Sequence, residues 1–254
     1  MLVSALNISE GRAGAALDRI AAAAGRALLD VHRDEYHQRS VLTVAGEEAA
    51  RAVAAAAVAA IDLRRHSGVH PRLGALDVVP FVPYGEATMA DAERARDDFV
   101  AWAAAELMLP ALVYAEGGPT LPEVRRRARH LLLPHPTAGA VAVGARGPLV
   151  AFNVWLAVPD LALARRVASA VRAPGIRTLG LPVGDRVQVS MNLIDPLRIG
   201  PATAYDAVAT LARVAGAELV GLVPDAVLAA VPRERWSALD LDATKSVEAR
   251  LRMI

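Results

Sequence analysis

The segment RRHSGVHPRLGALD, Arg64 to Asp77, gathers two histidines, three arginines, two glycines and an aspartate into fourteen residues. It falls between a helical and a strand-like stretch, the kind of loop on which a rigid framework displays functional groups. His66 and His70 have the i, i+4 spacing of a helical zinc pair. Gly68 separates them, and Pro71 drives His70 out of the α region, so a helical metal pair fails. What remains is proton transfer by one histidine, whose ordinary pKa of about 6.5 suits it to neutral pH. Arg72 is then available for a carboxylate. The competing reading is a turn whose histidine caps a helix end.

Three further segments are polar enough to carry chemistry. In NISEGR, Asn7 to Arg12, Ser9 is placed to cap a helix with Glu10 in its first turn, a role that suffices without catalysis. DVHRDEYHQR, Asp30 to Arg39, fits a site lining or a solvated hairpin tip equally well. RRRARH, Arg125 to His130, fits the wet face of a helix or, more sharply, a counter-charge for an anionic ligand tail. There is no GxGxxG, no GxxxxGK followed by Ser or Thr, and no HExxH, so phosphate-loop and zinc-protease chemistry have no support. The absence of cysteine excludes disulfides, thiolate metal sites and cysteine nucleophiles.

The elements that must position these residues alternate short apolar runs with alanine-rich amphipathic stretches, an α/β pattern. Strands are expected at Met1–Leu6, from Ala27, and at Ser40–Ala45, Ala75–Val82 and Ala111–Ala115. Pro80 points to an edge or a bulge in the fourth of these. Helices are expected around Leu17–Leu28, over Gly46–Leu63, and from Thr88, where Asp91 completes a capping box. Met89, Ala92, Ala95, Phe99 and Trp102 share a face of that last helix. EGGP, Glu116 to Pro119, reads as a turn.

A second half begins near Gly147. It reads as a strand at Pro148–Val158, a helix at Pro159–Arg172, and a strand pair at Thr178–Val183 and Arg186–Ile194 about a turn at Gly184. A helix at Pro201–Gly216 and a strand at Leu219–Val223 follow. The expected fold class is α/β (α+β), with domains at 1–146 and 147–254. These are two ferredoxin-like βαββαβ subdomains side by side, with a ligand groove between them.

Composition narrows the function further. With 254 residues, 54% hydrophobic and 22% charged, the chain can bury a substantial core. A net charge of +1 argues against nucleic-acid binding by bulk charge. Lys245 is the one lysine among 28 basic residues, a compositional bias of the coding sequence. The apolar run Ala52 to Ile61 is far short of the ~20 residues of a membrane span. The first ten residues lack the basic stretch of a secretory signal. The expectation is a soluble, cytoplasmic protein with no membrane or nucleic-acid partner.

NISEGR, the DxHxDxxHxR stretch, and RHSGVHPRLGALD followed by VPFVP together resemble the formiminotransferase domain family. The resemblance continues through VGARGPLVAFNVWL (Val143 to Leu156), QVSMNLID (Gln188 to Asp195) and ELVGLVP (Glu218 to Pro224), in order along nearly the whole chain. It implies transfer of a formimidoyl group between glutamate and N5 of tetrahydrofolate during histidine breakdown, in a cleft between two similar α/β subdomains. Tetrahydrofolate is then a substrate and no metal is needed. The partners are small molecules, and a homodimer fits this reading.

By the same resemblance the catalytic histidine is His70. The motif positions that would bind substrate are Asn7, Glu10, Arg39, Arg72, Asp77, Gly144, Arg146, Asn153, Asn192 and Glu218. Two features depart from the family pattern. The pterin-binding stretch before Gly144 is shortened to LLPHPTAGAVAVGAR, Leu132 to Arg146, which implies a more open folate pocket over 132–139. Trp155 and Gln38 each stand where the family commonly has asparagine. Formyl transfer or 5-formyltetrahydrofolate chemistry at the same site, or a non-catalytic ligand-binding homologue, are the alternatives.

Overall fold

Leu2, Leu6 and Ile8 bury one face of the first strand while Val3, Ala5 and Asn7 take the other, the period-two alternation of a strand laid on a core. The structure, a computed structural model, describes residues 1–12, 14–68, 71–115, 118–128 and 134–254. These form two units, Met1–Gly147 and Pro148–Ile254.

The first unit runs β1 (Leu2–Ile8), α1 (Ala15–Ala22), β2 (Leu28–Asp34), β3 (Arg39–Ala45), α2 (Glu47–Ala60), β4 (Leu76–Pro83), α3 (Met89–Leu107), β5 (Ala111–Ala115), α4 (Leu121–Ala128) and β6 (Val141–Ala145). Its sheet has the order β2-β3-β1-β4-β6-β5. The first four strands pair antiparallel in the ferredoxin-like arrangement, and β6 and β5 extend the sheet in parallel from β4. The first sheet is therefore six-stranded, not four-stranded, because α3 and α4 act as crossovers for two added strands.

Leu17 and Ile20 of α1, Val53 of α2 and Phe99 of α3 pack with Leu6, Leu42 and Phe81 on one face. On the other face, Val124 of α4 packs with Val78, Tyr114 and Ala142. The Thr88–Asp91 capping box opens α3 as its local sequence dictates.

Pro80 stands in an interior strand, so of the edge or bulge expected of it the edge fails. Registered pairs between β1 and β4 stop at Val3–Val82 and resume at Asn7–Val78, so the ladder is interrupted around the residue that lacks an N–H. Ser9 does not cap α1. Its N–H extends the β1–β4 ladder to the Ala75 carbonyl, and the helix starts only at Ala15. Glu116 and Gly117 of the expected EGGP turn lie outside the described residues.

The second unit runs β7 (Val150–Leu156), α5 (Leu161–Ala170), β8 (Ile176–Val183), β9 (Arg186–Leu193), α6 (Pro201–Ala209) and β10 (Val214–Val220), with short helices α7 (Asp225–Ala229) and α8 (Val247–Leu251) after them. Its antiparallel sheet, β10-β7-β9-β8, has ferredoxin-like order without additions. Phe152, Val154, Val189 and Met191 face Ala164, Val167 and Val208 in its core. The expected helix to Gly216 stops at Ala209, and the last strand begins five residues earlier than expected, at Val214. Alanine-rich sequence favours a helix there, but pairing of Val214–Val220 with β7 overrides local propensity. No helix among the described residues is long and apolar enough to cross a membrane.

Candidate active site

Asp77 is the organising residue of the polar end of β4. Its side chain is 0% exposed and accepts from Arg39 Nη1 and Arg125 Nη2, each at 2.6 Å. The Leu73 amide donates to its other oxygen at 2.7 Å. Burial pushes this carboxyl up, but the Arg39 and Arg125 guanidiniums with the Leu73 amide outweigh it and hold the pKa below the ordinary carboxylate value. Arg39 uses its second arm on Asn7 Oδ1 at 2.7 Å, which ties β3 to β1. Asp77 is thus fully buried, and it fixes two arginines and the Leu73 end of the loop.

That loop is pinned on both sides of residues 69 and 70. Arg72 Nη2 donates to the Gly68 carbonyl at 2.7 Å, and the Gly68 amide donates to His66 Nδ1 at 3.0 Å. Arg72 Nη1 also contacts His66 Nδ1. Burial, and then the Arg72 charge, lower the His66 pKa, so at neutral pH its ring is a neutral acceptor for these donors. His70, the expected catalytic residue, lies outside the described residues.

The stretch 134–139 clasps the far side of the same loop. Ala75 N donates to Ala138 O at 2.9 Å, Ala140 N to Leu73 O at 3.1 Å, and His135 and Gly139 close the turn on each other. Leu132 and Leu133 of the shortened segment lie outside the described residues. Its described part braces the GALD loop.

NISEGR meets the same region. Ser9 Oγ donates to Gly74 O at 2.7 Å, and Ser40 Oγ donates to Glu10 O at 2.5 Å. The Glu10 carboxylate accepts from the Gly11 and Arg12 amides and pairs with Arg12 at 2.9 Å. A Cβ on Gly11 would strike the Asp34 carbonyl and the Arg39 amide, so only glycine lets the segment lie this close to the β2–β3 hairpin. In that hairpin Asp34 holds His37 Nδ1 at 2.5 Å and its amide at 2.9 Å. Gln38 follows with φ of 47°, a left-handed conformation that asparagine adopts more readily. Its departure from the family pattern therefore bears on the turn.

Gly144 sits on β6 beneath the Tyr114 ring, where an added Cβ would land inside the ring. Gly144→Ala is expected to cost about 1–3 kcal/mol as overpacking, read as a lowered thermal midpoint. An unchanged midpoint would mean that the ring is not seated there. Arg146 continues the strand through Phe81 O at 3.1 Å, and its guanidinium donates to Gly147 O at 2.8 Å.

In the second unit, Asn153 and Glu218 stand side by side on β7 and β10, with Asn153 Nδ2 donating to Glu218 Oε2 at 2.9 Å. Asn192 is exposed on β9, opposite Ala151 and Arg177. All three project from the face opposite the core, because they alternate with Phe152, Val154, Leu219 and Met191.

Sequence reasoning missed two residues here. RRRARH read as a wet helix face or a counter-charge for an anionic ligand, yet Arg125 turns inward to Asp77, while Arg126 remains 68% exposed. The hint was Val124, which with Leu121 makes the apolar side of that helix. His66 had only its nearness to His70 to recommend it, and it proves to be the seat of Arg72. Among the described residues, no three His, Asp or Glu side chains converge as a metal would require.

The chain is thus two ferredoxin-like units, the first of which carries a loop of histidine and arginine around a buried aspartate. Residues 1–131 match the family model of the formiminotransferase domain, N-terminal subdomain. The chain is 33% identical to the glutamate formimidoyltransferase of Streptococcus pyogenes serotype M1, over 95% of each chain. It is 32% identical to the glutamate formimidoyltransferase of Thermoplasma acidophilum, over 87% of this chain and 88% of that one. The formimidoyltransferase-cyclodeaminase of Sus scrofa is 33% identical over 86% of this chain, which spans 49% of that longer protein. The chain belongs to the formiminotransferase family, and it is a transferase.

Proposed function

We propose that this enzyme moves a formimidoyl group between glutamate and N5 of tetrahydrofolate, with His70 as general acid and base. The observation that carries the reading is the charge around Asp77, where the Arg39 and Arg125 guanidiniums meet one buried carboxylate and Arg72 lies within reach of its charge. Guanidiniums gathered and oriented by a buried counter-ion suit an anionic substrate, and both glutamate and the folate tail are anionic.

The chemistry needs little more. Attack of the folate amine on the amidine carbon of formimidoyl-glutamate gives a tetrahedral species, and a proton must pass from the attacking nitrogen to the leaving one. A histidine does both steps near neutral pH and typically contributes about 10² to 10⁴ in rate. Gly68 and Leu73, fixed on either side of residues 69 and 70, support the placing of such a histidine. We assign Asn7, Glu10, Arg39, Arg72, Arg146, Asn153, Asn192 and Glu218 to substrate contact, with Asp77 acting through the arginines it holds.

Calorimetry tests the reading. Tetrahydrofolate and formimidoyl-glutamate, titrated separately into the purified protein, should each give a saturable binding isotherm. Failure of either to bind would remove one half of the proposed substrate pair. Transfer should also persist after exhaustive chelation, because the sequence offers neither thiolates nor a helical histidine pair to hold zinc. Activity lost to the chelator and restored by one specific metal would overturn that expectation.

A further inference from the structure

Trp155 and Gln188 face each other directly across β7 and β9, on the side of the second sheet turned away from its core. Side chains so paired stand about 4.5–5.5 Å apart at Cβ. The Arg186 guanidinium lies 4.0 Å from the centroid of the Trp155 ring. A guanidinium braced on an aromatic ring keeps N–H donors for a carboxylate, and Arg186 makes no ion pair among the described residues. Gln188 is 3% exposed, and its Oε1 has no hydrogen-bond donor among the described residues. A buried acceptor left unmade is costly, and it calls for an explanation in the form of a donor supplied from outside.

We propose that Trp155, Arg186 and Gln188 form a glutamyl subsite. Arg186, braced on Trp155, takes a carboxylate, and Gln188 Oε1 accepts the N–H borne close to that carboxylate. The subsite rests on the transferase reading above, and two of that enzyme's ligands carry this chemistry: free glutamate and the glutamate tail of the reduced folate. Trp155 is thereby a specificity element of this chain, where a smaller polar side chain could not support the guanidinium.

The test is calorimetry of glutamate and of tetrahydrofolate on wild type, Arg186→Met and Gln188→Met. Arg186 lies on the exposed end of a hairpin, so its replacement leaves the core intact. Arg186→Met should weaken one ligand roughly 10- to 100-fold, the size of a lost charge-assisted contact, and leave the other within about twofold. The weakened ligand identifies the source. Gln188→Met should weaken the same ligand while raising the thermal midpoint, because an orphaned acceptor is gone. Wild-type binding of both ligands that neither variant changes would overturn the subsite and leave the transferase reading standing. Variants that weaken different ligands would also overturn it. A wild type that binds neither ligand would defeat the transferase reading, and the subsite with it.

Discussion

His70→Ala should lower the turnover for formimidoyl transfer by about a hundredfold or more while leaving the fold and most substrate affinity in place. The residue sits in GVHPRLGALD, and its flanks are held by Arg72 and His66 on one side and by Asp77 on the other. Steady-state kinetics with an unchanged far-UV spectrum would read the effect as chemistry. A variant keeping more than about a tenth of wild-type turnover would contradict an acid–base role of that size. His66→Ala should instead act through Arg72, raising KM more than it lowers kcat, since a neutral acceptor has no proton to give.

Asp77→Asn should cost more stability than any other single polar change in the first unit. It nearly preserves shape but leaves Arg39 and Arg125 without their shared counter-charge in a buried setting. Removing one partner from such a cluster typically costs about 3–5 kcal/mol, or about 10 °C in thermal midpoint for a chain of this size. The acid limb carries a second signature. Because the folded-state pKa lies below the ordinary value of about 3.9, the stabilisation is complete above that value and is lost as pH falls through the folded pKa. Wild type should therefore lose stability steeply below about pH 4, and Asp77→Asn should be flatter over the same range. Equal acid limbs, or a midpoint shift under about 2 °C, would mean that the two guanidiniums do not depend on this carboxylate.

Thr88 and Asp91, the apolar face of α3 and the strand pair about Gly184 were legible because each rests on contacts within a few residues. The ferredoxin-like order followed from the succession of such elements. The two added strands did not, since nothing in Val141–Ala145 or Ala111–Ala115 states that the first lies beside β4 and the second beyond it. Of the edge or bulge that Pro80 pointed to, the edge failed because the constraint is only the missing N–H, and the β1–β4 ladder is interrupted at that point. Ser9 misled because hydrogen bonds to Ala75 and Gly74, more than sixty residues away, compete with the capping role its spacing permits.

Around Asp77, the individual polar residues were legible in the sequence and their connections were not. The pairing of Asp77 with Arg39 and Arg125 spans 38 and 48 residues of chain, and only folding brings those charges together. Arg125 could not be told from Arg126 and Arg127 by type. One turn of helix docked through Val124 decides which of them is buried.

The most direct test of the proposed function is one incubation of the enzyme with formimidoyl-glutamate and tetrahydrofolate, following both products. The expected result is glutamate released one for one with formimidoyl-tetrahydrofolate, and no release when the folate is omitted. Glutamate released without folate would make the enzyme a hydrolase, and no transfer at saturating concentrations of both ligands would contradict formimidoyl transfer outright.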